Sequence, residues 1–199
     1  MFVKVCGLRT TTDVATAVEA GADAVGFVFA ESVRRVEVDV ARALVASVPD
    51  HVLTVGVFAG VSAAEAGTIA LEAGVGAVQL HGDYPPSAFQ ELAGLPVRLV
   101  RATTLGPDTD MTVGAYGEDM LLLDSPVAGS GSRWDLSLLG PSRPQGPWLL
   151  AGGLDPGNVG EAIAAARPWG VDVSSGVESS RGVKDRSLIR SFVAAARAS

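Results

Sequence analysis

The chain has 199 residues, 48% of them hydrophobic and 19% charged, an ordinary globular composition with material for one sizeable core. Its 22 acidic and 15 basic residues give a net charge of −7, so a polyanion is repelled on average and no nucleic-acid partner is expected. The single cysteine, Cys6, excludes an internal disulfide, and one cysteine with two histidines is too sparse for a zinc site of the usual spacing.

The opening segment, MFVKVCGLRT, has no apolar stretch followed by a small-residue cleavage site. No apolar run reaches the roughly 18 residues that span a bilayer. A cytoplasmic protein with no membrane partner is therefore expected. Strands are predicted near 2–6, 23–29, 52–58, 76–80, 97–102, 119–124, 147–151 and 170–174. Three segments are alike: GADAVGFVF (21–29), GVGAVQLHG (74–82) and WGVDVSSG (169–176). In each, a glycine ends a helical stretch and a short apolar run follows, the pattern of a helix end feeding a buried strand. The runs are apolar almost throughout, as when both faces of a sheet are covered.

Helical patterns separate most of these strands, at 13–21, 38–48, 63–74, 86–94, 157–166 and 186–196. The pattern is weak at 104–117 and short around 134–139. Alternating strands and helices predict a parallel α/β sheet. Eight units of roughly 25 residues suit a closed (β/α)8 TIM barrel near its lower size limit. A doubly wound open sheet is the alternative. Its glycine-rich loop is missing after the first strand, where Cys6-Gly7-Leu8-Arg9 stands. No linker or charge run divides residues 1–199, so one domain is expected.

In such a barrel, chemistry sits at the carboxyl ends of the strands. The polar residues there are Cys6 and Arg9, then Ser32, Arg34 and Arg35, then Gln79 and His81. Arg101, Asp124, Gly152, Gly153, Asp172, Ser174 and Ser175 complete the set. AGGLDPGNV (151–159) and VSSG (173–176) offer glycines and hydroxyls where backbone N–H groups can approach an anion. The alternative is two tight turns, but these are the two loops this fold uses for phosphate. Asp124 closes the apolar run MLLLD, a costly place for a carboxylate unless it is paired or poised for proton transfer. A helix cap or a salt bridge is the plainer reading. Cys6 read alone is a small core hydrophobe, although a thiolate at the barrel mouth could serve as a base. Arg34 and Arg35 suit a planar carboxylate or a phosphate, and one of them is expected to be merely solvated. His81 is a proton carrier or a hydrogen-bonding neighbour of one. His51 starts a strand at the opposite end and is set aside. Lys4 points the same way as Cys6 but deeper, as a barrel-interior residue.

Taken in order, the motifs resemble the phosphoribosylanthranilate isomerase family over nearly the whole chain. KVCGLRT (4–10) resembles its first strand, GADAVGFVFAESVRR (21–35) its second strand and arginine loop, and VGVF (55–58) and AVQLHG (77–82) its third and fourth strands. LLLDSPVAGSGSRWD (121–135) resembles its sixth strand and following loop, and LAGGLDPGNV (150–159) and VDVSSGVESSRGVKD (171–185) its phosphate loops. The resemblance implies Cys6 as general base and Asp124 as general acid. It implies Arg34, with Arg35 as the competitor, as the clamp on an anthranilate carboxylate. Gly152, Gly153, Ser174, Ser175 and Gly176 would hold phosphate. Asp172, His81, Gly129 and Gly131 would lie against the substrate, Asp172 near the sugar hydroxyls.

The implied reaction is an Amadori rearrangement of N-(5-phosphoribosyl)anthranilate, without metal or cofactor, by a monomer or homodimer. A free cysteine titrates near ~8.5 and a free aspartate near ~3.9, so either both shift toward neutrality or only minority species react; a bell-shaped pH–rate profile is expected. Two rival readings are a histidine-pathway or dual-substrate phosphoribosyl isomerase and a non-catalytic sugar-phosphate-binding barrel. The first would carry aspartate in place of Cys6 and a second phosphate site.

Overall fold

The strands are short apolar runs, and they pair in parallel until the last meets the first. A computed structural model describes residues 1–124, 139 and 143–199. β1 (Phe2–Cys6), β2 (Ala24–Val28), β3 (Leu53–Phe58), β4 (Ala77–His81), β5 (Arg98–Thr104), β6 (Met120–Asp124), β7 (Trp148–Leu150) and β8 (Gly170–Val173) form a closed barrel in chain order. The β1–β8 pairing sets Lys4 opposite Asp172, and the β1–β2 pairing sets Cys6 opposite Gly26. Predicted strand limits differ from these by two residues at most.

Alternation divides each strand between two environments. Ala24, Val55, Ala77, Val100, Leu122 and Leu149 pack inside the barrel with Cys6. Val3, Val5, Val25, Phe27, Val78, Leu121 and Leu123 face the helices. Both sets are buried, so little polar–apolar alternation was visible in the sequence. The helices are α1 (Thr11–Glu19), α2 (Val38–Val45), α3 (Ala63–Ala73), α4 (Pro86–Leu92), α5 (Val159–Ala166) and α6 (Arg186–Ala198). Among the described residues no helix is long and apolar enough to cross a membrane.

α6 shows how these helices are specified. The Asp185 side chain caps it by accepting from the Ser187 and Leu188 amides at 2.8 and 3.1 Å. Ile189, Phe192, Val193 and Ala196 then recur at helical spacing and are buried against α1, α5 and β1.

Two local features stand out. Residues 105–119, where the helical pattern is weak, form turns. Arg101 faces outward and organises them. Its guanidinium pairs with Glu118 at 2.8 Å, donates to the Asp110 and Thr112 carbonyls, and lies 4.5 Å over the Tyr116 ring. Arg101 is thus a buried anchor, not a barrel-mouth residue. After β8 the chain makes a 3₁₀ turn, Ser175–Val177, and a small hairpin, β9 (Glu178–Ser180) and β10 (Val183–Lys184), before α6. The segment near 134–139 lies outside the described residues except Leu139, which is buried.

Because Phe192 is fully buried far from the strand ends, Phe192→Ala should cost about 3–5 kcal/mol. Leu71→Ala, at a half-exposed position, should stay within about 0.5 kcal/mol. Urea unfolding of both variants checks this; equal losses would contradict the packing described.

Candidate active site

β1 ends in Cys6 and then turns sharply. Gly7 has φ +76°, and a Cβ there would lie 2.8 Å from Arg34 Cδ and 3.1 Å from Ser174 Oγ. A residue with a side chain would be strained and would push Arg34 away. Gly26, opposite Cys6, has a different role. A Cβ at Gly26 would fall 2.7 Å from the Cys6 sulfur, so its lack of a side chain makes room for the thiol.

Below Cys6 lies Lys4, buried and inward-facing. Its Nζ donates to Asp172 Oδ1 at 2.9 Å across the β1–β8 seam. Burial acts against the ammonium, but Asp172 and Cys6 outweigh it and raise Lys4 to about 12. Cys6 moves away from neutrality. Burial pushes its thiol above the ordinary range; Asp172 adds to this, while Lys4 and Lys184 oppose it. The fall toward neutrality does not occur, because desolvation of a thiolate in an apolar barrel exceeds the help of two lysines.

Arg34 and Arg35 separate cleanly. Arg34 lines a cavity at the barrel mouth, and Glu178 on β9 fixes it from behind: Nε and Nη2 donate to the two carboxylate oxygens at 2.6 and 2.8 Å. Arg35 is half exposed and faces Glu37 at 3.6 Å. Glu178 also accepts from the Gly182 amide and from Lys184 Nζ at 2.9 Å each. Despite its burial, these donors hold its carboxyl down at about 2. Lys184 in turn donates to the Ser174 carbonyl at 2.8 Å. Glu178 and Lys184 stand in the stretch VESSRGVKD, which reads as a polar loop. Only its tertiary packing against Arg34 and Ser174 reveals them.

The cavity has a volume of about 190 Å³, and its wall includes Arg34, Asp124, Gly152, Gly153, Asp172, Ser174 and Ser175. Gly152 and Gly153 take left-handed backbone at φ +89° and +64°. Asn158, another residue not singled out in the sequence, donates to the Gly153 carbonyl and accepts from the Asp155 amide, both at 2.8 Å. Asp155 accepts from the Gly157 and Asn158 amides, so the DPGN turn is braced by its own side chains. Gly176 is placed by sterics: a Cβ there would sit 1.8 Å from the Leu154 carbonyl oxygen. The two glycine loops therefore touch backbone to backbone. The Gly153 and Ser175 N–H groups have no acceptor among the described residues. Asp124 ends β6 on the inward face, with His81 Nε2 3.9 Å from its Oδ2. Gly129 and Gly131 lie outside the described residues. Among the described residues no cluster of three His, Cys, Asp or Glu side chains could hold a metal.

Two outcomes are expected. Gly26→Ala should displace the Cys6 sulfur while the fold survives, read as a changed rate of Cys6 alkylation by iodoacetamide beside circular dichroism. Glu178 is depressed below its ordinary 4.5 to about 2, so its contribution to stability is complete above pH 4.5 and vanishes as pH falls through about 2. The stability gap between the natural chain and Glu178→Gln should therefore close over that window in urea titrations. A gap constant with pH would contradict the pairing.

A model of the N-(5'-phosphoribosyl)anthranilate isomerase family matches residues 3–195. The N-(5'-phosphoribosyl)anthranilate isomerase of Pseudomonas putida (strain W619) is 42% identical over 202 residues, covering 98% of this chain and 96% of that protein. The crystal structure of TrpF from Jonesia denitrificans is 48% identical, with a TM-score of 0.92 over 99% of this chain and 97% of that one. A phosphoribosyl anthranilate isomerase crystallised with reduced 1-(o-carboxyphenylamino)-1-deoxyribulose 5-phosphate is 36% identical, with a TM-score of 0.87 over the whole of both chains. A closed barrel with its polar residues at the strand ends, matched in sequence and in shape along almost its full length, belongs to the N-(5'-phosphoribosyl)anthranilate isomerase family.

Proposed function

We propose that the family's isomerisation is carried out here by Asp124 as general acid and Cys6 as general base, on substrate held between the glycine loops and Arg34. The observation that carries this reading is the shared inward face of two strand ends. Asp124 is on the cavity wall, and Cys6 is buried beside Asp172, which lines the same cavity.

Phosphate binds the Gly153 and Ser175 amides, beside Gly152, Ser174 and Gly176. The substrate's carboxylate takes the Arg34 N–H groups that Glu178 leaves free, since Glu178 uses Nε and one side of Nη2. Arg35 has no part in this arrangement. Asp172 faces the sugar, and His81 steadies the charge of Asp124. The substrate is N-(5'-phosphoribosyl)anthranilate.

The protonated Asp124 gives its proton to the furanose ring oxygen as the C1′–O bond breaks. The anilino nitrogen lone pair moves in to form a Schiff base. The Cys6 thiolate then takes the C2′ proton, and the electron pair flows to nitrogen, leaving an enolamine. Loss of the enol proton and gain of one at C1′ gives 1-(2-carboxyphenylamino)-1-deoxyribulose 5-phosphate. No atom is gained or lost. The acid must start protonated and the base deprotonated, and the raised Cys6 makes the thiolate a minor species near neutrality.

Steady-state assays with phosphoribosylanthranilate test this. Cys6→Ser and Asp124→Asn should each lower kcat by about two to four orders of magnitude, with much smaller changes in KM. Near-full turnover in either variant removes that residue from its role. Active enzyme needs the protonated Asp124 and the Cys6 thiolate together, so kcat/KM should be bell-shaped, with its falling limb at the higher of the two titrations; burial of Cys6 puts that limb above the ordinary thiol range. A falling limb below the ordinary thiol range would contradict Cys6 as the base.

A further inference from the structure

Lys4 is the one large charged side chain among the described residues that is both fully buried and aimed into the barrel interior, and the steps above make no use of it. The strand register sets it against Asp172, and it lies two residues before Cys6 on the same face of β1. An ion pair is a poor way to close a barrel seam. Two apolar side chains of similar volume would close it at least as well, without desolvating two charges. The charge therefore matters for what it faces, and beyond Asp172 that is the Cys6 sulfur, within hydrogen-bonding reach of the ammonium.

We propose that Lys4 is a positioning residue that sets the ionisation of Cys6, its ammonium stabilising the thiolate from below while Asp172 fixes the ammonium in place. Its importance for turnover rests on Cys6 being the base. The charged groups around the sulfur come from four segments. Lys4 lies on β1 itself, and Asp172 on β8 opposes the thiolate. Lys184 on β10 favours it, and Arg34 after β2 adds a weaker positive charge. Gly26 on β2 presents no side chain. Asp172 thus has two opposed effects: it holds Lys4 in place and it repels the thiolate.

Cys6 is the only cysteine, so its ionisation can be read without turnover from the pH dependence of alkylation by iodoacetamide, followed by mass. Lys4→Met should move the midpoint up by about one pH unit or more, because the thiolate then loses the ammonium beneath it. Circular dichroism reports folding of each variant. A midpoint unmoved or lowered in Lys4→Met overturns the proposal. If that variant does not fold, Lys4→Gln, which keeps a donor for Asp172 but carries no charge, is read in its place, and an unmoved or lowered midpoint there overturns the proposal. The pH dependence of kcat/KM in the same variants separates the two readings. A rate limb that follows the alkylation midpoint upholds both. A limb that stays in place while the midpoint moves upholds the action of Lys4 on the thiol and removes Cys6 as the base.

Discussion

The seam between β1 and β8 is the constraint on which the rest of this molecule depends. A barrel closes only if its last strand meets its first in one register, and here that register sets Lys4 against Asp172. Removing one partner of so buried a pair would leave a charge in an apolar interior, a loss on the order of 3–5 kcal/mol. A slip of one residue would turn Cys6 and Lys4 toward the helices and Val3 and Val5 inward. The same register fixes the cavity. Cys6 falls opposite Gly26, where its sulfur has room, and Asp172 comes up beside Ser174.

Above the seam, backbone and side chains divide the work. The glycine loops approach so closely that Gly176 can bear no side chain, and Asn158 and Asp155 brace the neighbouring turn. Arg34 is braced from behind by Glu178, which is itself held by Lys184 and the Gly182 amide. Such bracing lowers the conformational entropy lost when an anionic substrate binds. It also lets a chain of net charge −7 offer donors to an anion: Asp172 and Glu178 are committed to Lys4, Arg34 and Lys184, while amide N–H groups and part of one guanidinium are left facing the cavity.

Much of the architecture was legible because each local signal agreed with the fold. Continuous apolar runs marked strands buried on two faces, and glycines marked the helix ends that feed them. The segment 105–119 was not legible, because Arg101 and Glu118 order it through contacts distant in sequence. The hairpin β9–β10 was missed for a similar reason: its meaning lies in Glu178 reaching Arg34, 144 residues away. Candidate residues at strand ends could be named from position alone. The choice between Arg34 and Arg35 could not, since adjacent residues differ only in which one the chain turns toward the cavity. The direction of the Cys6 shift was unreadable too. It depends on a balance between burial and two lysines, one of them 178 positions further along the chain.

The placement of substrate is the central claim. Its most direct measurement is a crystal structure of this chain with reduced 1-(o-carboxyphenylamino)-1-deoxyribulose 5-phosphate, the compound bound in the related isomerase. The account predicts the phosphate on the Gly153 and Ser175 amides, the carboxylate on the free edge of Arg34, and C2′ within contact of the Cys6 sulfur. A carboxylate on Arg35, or a C2′ turned away from Cys6, would contradict it.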